Sequence, residues 1–256
     1  MTGENALVIG LLFAVVLVIS ILKGGFGGGF SVLGVPFLSL AIDPVRAAAI
    51  LVPIVCFMDL FAIVAYPPRT WHRRNLYILV PALLVGLGIG TLMIRRVDAH
   101  HVQFVVGVIA VVFAARGLLQ RKQPAEPRPP SVVLGGFWGC VSGFTTFIAH
   151  SGGPPLAAYL LPQRLPPAIF AGTATVFFLI GNYLKIGPYI WLGQLDLDAF
   201  YFSLFAVPAV PLGIYIGKYL NGKVAPERLY LACYVLLILV GVKLLADWAM
   251  HVFFAG

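Results

Sequence analysis

The chain has 256 residues, of which 61% are hydrophobic and 10% charged, with a formal charge of +8 and a mean hydropathy of +0.99. A soluble domain carries about 25% charged residues, so this composition excludes a soluble α/β protein with buried strands. The basic residues sit in short loops between apolar runs, which argues for membrane topology and against a nucleic-acid-binding stripe. Cys56, Cys140 and Cys233 stand singly in apolar stretches, without the spacing of a metal site or a disulfide framework.

Taken in chain order, eight apolar runs approach the roughly 20 residues that a helix needs to cross a hydrocarbon core. They cover about 5–22, 45–66, 76–94, 102–119, 132–149, 168–190, 198–219 and 229–250. The first has no basic stretch ahead of it and runs into Lys23 and a glycine cluster, so it reads as a retained helix rather than a signal peptide. Two shorter apolar pieces, about 30–42 and 154–161, follow glycine-rich breaks and are too short for ordinary transmembrane helices. They cross as half-helices with extended backbone, or they dip in and return.

Arg69, Arg73 and Arg74 place one loop in the cytoplasm, and Arg121, Lys122 and Arg128 place the central linker there as well. In the second half the 191–197 loop has no basic residue and the 218–228 loop has three, so the second half reads as inverted relative to the first. Inversion requires the short pieces to complete a traverse, giving ten membrane segments with both termini outside. An eight-crossing arrangement with re-entrant loops is the less favoured alternative.

The halves align at an offset of 124 residues: Gly28-Gly29 falls on Gly152-Gly153, Ala47 on Ala171, and the 69–75 loop on 193–199. The expected fold is therefore an all-α polytopic membrane protein made of two inverted repeats with Gly/Pro-interrupted helices. It comprises eight long transmembrane helices plus two short half-helical segments. Residues 1–120 form the first repeat, the Pro-rich 121–131 segment a cytoplasmic linker, and 132–256 the second repeat. Paired interruptions of this kind point to a secondary transporter with its site at the repeat interface.

The first interruption carries Gly27, Gly28, Gly29 and Ser31, a run in which successive N–H groups can form an anion-binding nest. Tight small-residue packing is its plainer reading. The second carries Thr145, Thr146, His150, Ser151, Gly152 and Gly153, with Pro154-Pro155 suited to the first turn of a half-helix. His150 donates to an anion, titrates near neutral pH, or is simply a packed histidine. Thr173 follows Gly172 and is a further substrate-facing candidate. Asp59, costly inside a membrane helix unless paired, hydrated or protonated, is a coupling candidate with His150 and Lys185, although Lys185 can also snorkel outward. Lys243 and Asp247 form an i,i+4 pair of structural character. HExxH, GxSxG, GxGxxG and GKS/T patterns are missing, so neither an enzyme nor a cofactor is expected.

At GGFGGGFSVLGVPFLSL (24–40) with Pro44–Ala48, and at SGFTTFIAHSGGPPLAAYLL (142–161) with Ala171-Gly172-Thr173, the chain resembles the TauE/SafE sulfite exporter family of membrane transporters. The likeness covers nearly the whole chain. It implies a multi-pass protein of the bacterial inner membrane that moves sulfite, a sulfonate or another small sulfur-containing or organic anion. It makes the Gly27–Ser31 and His150–Pro154 regions substrate-proximal, while Phe26 among the glycines and His150 point to a different size preference. The expected partners are a small anionic substrate, a coupled proton or ion, membrane lipid and a second copy of the chain, with no nucleic acid. An anion channel and a membrane enzyme or scaffold of sulfur metabolism stand as the alternatives.

Overall fold

The computed structural model describes residues 3–26, 30–94, 96, 99–119, 127–220 and 226–254. Every regular element among them is helical: α1 (Gly3–Phe26), α2 (Gly34–Leu38), α3 (Pro44–Ala65), α4 (Arg73–Ile94), α5 (Ala99–Leu119), α6 (Val132–Ala149), α7 (Gly153–Leu160), α8 (Pro167–Trp191), α9 (Leu197–Ala206), α10 (Ala209–Leu220) and α11 (Pro226–Phe254). With no water in a bilayer core to satisfy peptide groups, helices that close their own hydrogen bonds are what an apolar chain of this kind can form there.

Seven helical stretches among the described residues are long and apolar enough to cross a membrane, the last three being Ala168–Trp191, Leu197–Gly217 and Tyr234–Phe253. In α1 the described apolar stretch is shorter, Val8–Lys23. The apolar run expected as one helix over 198–219 is two, because the chain turns at Val207-Pro208 between α9 and α10. Pro208 lies in that turn and Pro211 three residues beyond it, and each lacks the backbone donor that a continuous helix would need there.

Local chemistry sets several helix starts. Asp43 caps α3 by accepting from Val45 N and Arg46 N (2.9 and 3.1 Å), and Pro44 sits where no donor is needed. Ser131 caps α6 through Leu134 N, and Asp196 caps α9 through Ala199 N. The most extensive interfaces join α4 to α6, α1 to α10 and α5 to α11. Glycine brings the backbones together in each. A Cβ on Gly86 of α4 would overlap the Cys140 carbonyl of α6, and one on Gly143 of α6 would overlap the Leu83 carbonyl of α4. Small residues are the usual means of helix association in lipid, where apolar surface alone gives no preference for protein over acyl chain.

Around these pairs lies a belt of exposed apolar side chains, among them Val64, Leu119 and Val133, as expected of a lipid-facing surface. The centre is occupied by α3 and α8, which pack on each other. One end of the bundle gathers the 66–72 segment, residues 127–131 and the 161–166 turn. Arg128 N donates to Pro162 O (2.9 Å), Asn75 Nδ2 to Gln163 Oε1 (2.8 Å) and His72 N to Thr173 Oγ1 (2.9 Å). Arg69, Arg128 and Arg164 belong to these segments, and Arg73 and Arg74 open the adjoining α4, so this end is the cationic one.

Helix α6 leaves from that end, and α7 returns to it, since Tyr159 OH reaches Ser131 O at 3.3 Å. Residues 150–152 are therefore the tip of a hairpin. With 18 residues, α6 is about 27 Å long, so the tip lies deep in the bundle.

Candidate functional site

The tip begins with His150, whose φ is 51°. Glycine commonly holds this left-handed position after a helix, and a side chain there costs about 1–2 kcal/mol. Within this tip the positive φ falls on the histidine and not on Gly152 or Gly153. The ring uses the position: Nε2 lies 2.9 Å from the Ala48 carbonyl of α3, and Nδ1 lies 2.6 Å from Nζ of Lys185 on α8. With Lys185 as an ammonium, which only donates, the neutral ring accepts at Nδ1 and donates from Nε2–H to the Ala48 carbonyl.

The four last carbonyls of a helix lack partners within it, and three of them in α6 are met from beyond the helix. Lys185 Nζ donates to Thr146 O (3.2 Å), as does the His150 N–H (3.1 Å). Tyr189 OH donates to Phe147 O (2.6 Å), and Ser151 Oγ to Ala149 O (3.0 Å). Lys185 and Tyr189 are four residues apart on α8, hence on one face of it. A cation at the C-terminal end of α6 also opposes the helix dipole.

Gly152 is required by contact rather than by conformation. Its carbonyl accepts from Ser142 Oγ at 2.7 Å, and a Cβ would come within 2.9 Å of Ser142 and Thr146 atoms. Thr145 Oγ1 bonds back to Val141 O at 2.8 Å within its own helix. Thr145, Thr146, His150, Ser151 and Gly152 are all buried, and Gly153 is partly so.

A second polar cluster lies nearby. Asp59 of α3 is 1% exposed and accepts from Lys23 Nζ of α1 at 2.7 Å and from Asn182 Nδ2 of α8 at 2.5 Å. Asn182 and Lys185 are one turn apart on α8, so one helix face serves both clusters. Lys185 is 0% exposed and does not snorkel. Among the described residues no carboxylate lies within 4 Å of it.

Thr173 is placed elsewhere, at the cationic end, where it accepts from His72 N and donates to Ile169 O (2.6 Å). Lys243 and Asp247 form the expected exposed pair at 2.6 Å. Gly27, Gly28 and Gly29 lie outside the described residues, as does the side chain of Ser31, whose backbone lies in a short 3-10 turn (Phe30–Leu33) leading into α2.

Sequence reasoning missed Tyr189 and the buried Asn75–Tyr159–Gln163 network, in which Tyr159 OH donates to Asn75 Oδ1 (3.0 Å) and Gln163 Nε2 to Tyr159 O (3.2 Å). The Tyr189–Lys185 spacing was the available signal. Among the described residues no group of three or more His, Cys, Asp or Glu side chains is gathered as a metal site.

These features define an all-α polytopic membrane protein whose polar interior is built around an interrupted helix. A family model described as "Sulfite exporter TauE/SafE" matches residues 12–244. The chain belongs to the sulfite exporter TauE/SafE family. A curated relative from Cupriavidus necator, "Probable sulfite/organosulfonate exporter TauE", is 24% identical over 228 residues, covering 86% of each chain. No solved structure matches.

Proposed function

We propose that the protein is a secondary transporter of a small anion, of the sulfite or organosulfonate class, in a bacterial inner membrane. The observation that carries this reading is the buried tip of the α6–α7 hairpin, where the helix ladder stops between α3 and α8 beside a cation and not beside carboxylates. Interrupted backbone at membrane depth is tolerated where it is enclosed by protein or lines a polar cavity, and transporters place substrate there. The name of the Cupriavidus relative supplies the substrate class.

Two inverted repeats, residues 1–120 and 132–256, joined by a cytoplasmic linker at 121–131, give this site its setting. The reading is supported by matched packing. If α1, α2, α3, α4 and α5 correspond to α6, α7, α8, α9–α10 and α11, then the α1–α10 interface answers to α6–α4. The α3–α9 interface likewise answers to α8–α4, and α5–α11 answers to itself. The cationic end of the bundle is the cytoplasmic one on this reading, following the bias of Lys and Arg toward that side. One half moving against the other would expose the tip alternately. Gly27–Ser31 from the first repeat and Thr146, Gly152 and Gly153 from the second would supply N–H and hydroxyl donors, joined by Thr145 and Ser151 once their hydroxyls release Val141 O and Ala149 O. Export of an anion is assisted by an inside-negative potential at about 2.3 kcal/mol per charge per 100 mV. Uptake would instead need a coupled ion.

The test is counterflow in proteoliposomes with labelled sulfite and small sulfonates. Saturable, trans-stimulated exchange is expected, whereas conductance without saturation would indicate a channel, and product formation an enzyme. Gly152→Leu should abolish exchange while the protein still inserts, because its side chain would collide with Ser142 and Thr146. Exchange retained in that variant would sink the role given to the tip.

A further inference from the structure

Resting on the transport reading, we infer that Lys185 is the counter-charge of the substrate, and that the site is tuned to an oxyanion bearing one negative charge. Lys23, Asp59 and Lys185 bring three ionisable side chains together between α1, α3 and α8. Lys23 and Asp59 neutralise each other at 2.7 Å. Lys185, fully buried, is held by two neutral acceptors, His150 Nδ1 and Thr146 O. Among the described residues the cluster, with Lys185 as an ammonium, therefore carries one uncompensated positive charge. The two oxygens of Asp59 are already taken by Lys23 and Asn182.

An ammonium enclosed in a membrane protein is costly unless a partner of opposite sign is supplied. The α6 dipole offsets only a part of one charge. An arriving monoanion completes the balance, giving two positive and two negative charges. A dianion overshoots it and leaves a net negative charge enclosed in the same low-dielectric space.

Geometry shows how the exchange would proceed. Neither partner of Lys185 needs it. Thr146 O keeps the His150 N–H as donor, and the His150 ring keeps Ala48 O through Nε2. Swinging Nζ from these acceptors to an anionic oxygen therefore strands no carbonyl, and Nδ1 is left able to accept from a protonated substrate or water. Among the described residues Lys185 donates to no anionic acceptor that its departure would leave buried and charged. Lys23 differs, since its departure would isolate Asp59. The chemistry recognised is a tetrahedral or pyramidal sulfur oxyanion of one charge, as an alkylsulfonate presents, in preference to a sulfate-type dianion.

The experiment measures anion-dependent thermal stabilisation and counterflow on purified full-length protein, using sulfite, methanesulfonate and sulfate. A ligand that binds only the folded state raises the melting temperature with its concentration. In the wild type, methanesulfonate should half-saturate at a concentration at least tenfold below that of sulfate. Lys185→Gln should stay folded, lose the stabilisation and lose exchange. Lys185→Arg keeps the charge but changes its reach, and should weaken half-saturation tenfold or more while exchange persists. Should Lys185→Gln fail to fold, Lys185→Arg decides, and an unchanged half-saturation in it overturns the assignment. A folded Lys185→Gln with wild-type half-saturation overturns it outright, as does equal preference for sulfate and methanesulfonate in the wild type. Wild-type protein showing no anion-dependent shift and no counterflow overturns the transport reading, and this inference with it.

Discussion

Among the described residues two lysines reach the interior of this bundle, and they are treated in opposite ways. Lys23 retains 24% of its side-chain exposure and is paired with a carboxylate. Lys185 retains none and is given two neutral acceptors. If depth alone set the need for a counter-ion, the assignment would be reversed. The difference therefore separates two roles. The Lys23–Asp59–Asn182 cluster ties α1, α3 and α8 together and is electrically complete, whereas the Lys185 cluster is incomplete and can accept a further charge.

The strongest way to break this comparison is to open the complete cluster. Lys23→Met leaves the Asp59 carboxylate, with 2% side-chain exposure, without a cation. Isolating one member of a buried ion pair costs about 3–5 kcal/mol, so a large fall in unfolding temperature in detergent is expected. Adding Asp59→Asn should recover most of it, because a neutral pair removes the stranded charge. A Lys23→Met protein that melts like the wild type would show that the pair is not a brace.

A smaller perturbation sharpens the same point. Asn182→Leu removes the donor to the second Asp59 oxygen but leaves the ion pair. Hydrogen bonds to charged groups contribute about 1.5–3 kcal/mol, so the loss should fall below that of Lys23→Met. Chemical denaturation of both variants would rank them, and the opposite order would place the main support of Asp59 on α8 instead of α1.

Much of the helical framework was legible because lipid leaves few choices: a long apolar run bounded by basic or turn-forming residues becomes a helix. The α6–α7 break at 150–152 was legible for the same reason, since His-Ser-Gly-Gly-Pro-Pro cannot continue a helix. The reason for each residue in it was not. Glycine commonly holds the left-handed position after a helix, yet here His150 takes it, with its ring against Ala48 and Lys185. Gly152 is there because Ser142 and Thr146 leave no space for a Cβ. The turn at Val207-Pro208 was hidden inside a uniformly apolar run, where hydropathy carries no mark of a bend. Pairings such as Lys23 with Asp59 or Asn75 with Gln163 join residues 36 and 88 positions apart, and no periodicity encodes them. Lys185 and Asp59 could be singled out as polar groups in apolar helices, but which of them would be paired required the packing of three helices.

The mildest test asks what holds the α6 tip if Lys185 is free to exchange partners. Tyr189 is fully buried, and its hydroxyl donates to Phe147 O at 2.6 Å, one residue along from the carbonyl that Lys185 contacts. Its ring also lies 4.9 Å from that of Phe147, so Tyr189→Phe keeps the packing and deletes one hydrogen bond. Such a bond contributes about 1 kcal/mol, and the stranded carbonyl adds to the loss. A modest drop in stability with unchanged half-saturation by methanesulfonate is expected, the reverse of the pattern for Lys185→Gln. Division of labour explains the contrast, because an uncharged hydroxyl can anchor a carbonyl permanently while the neighbouring ammonium trades partners. If Tyr189→Phe instead weakened anion binding as much as Lys185→Gln, tip position and charge would be one inseparable function. The distinction between brace and site would then fail on α8.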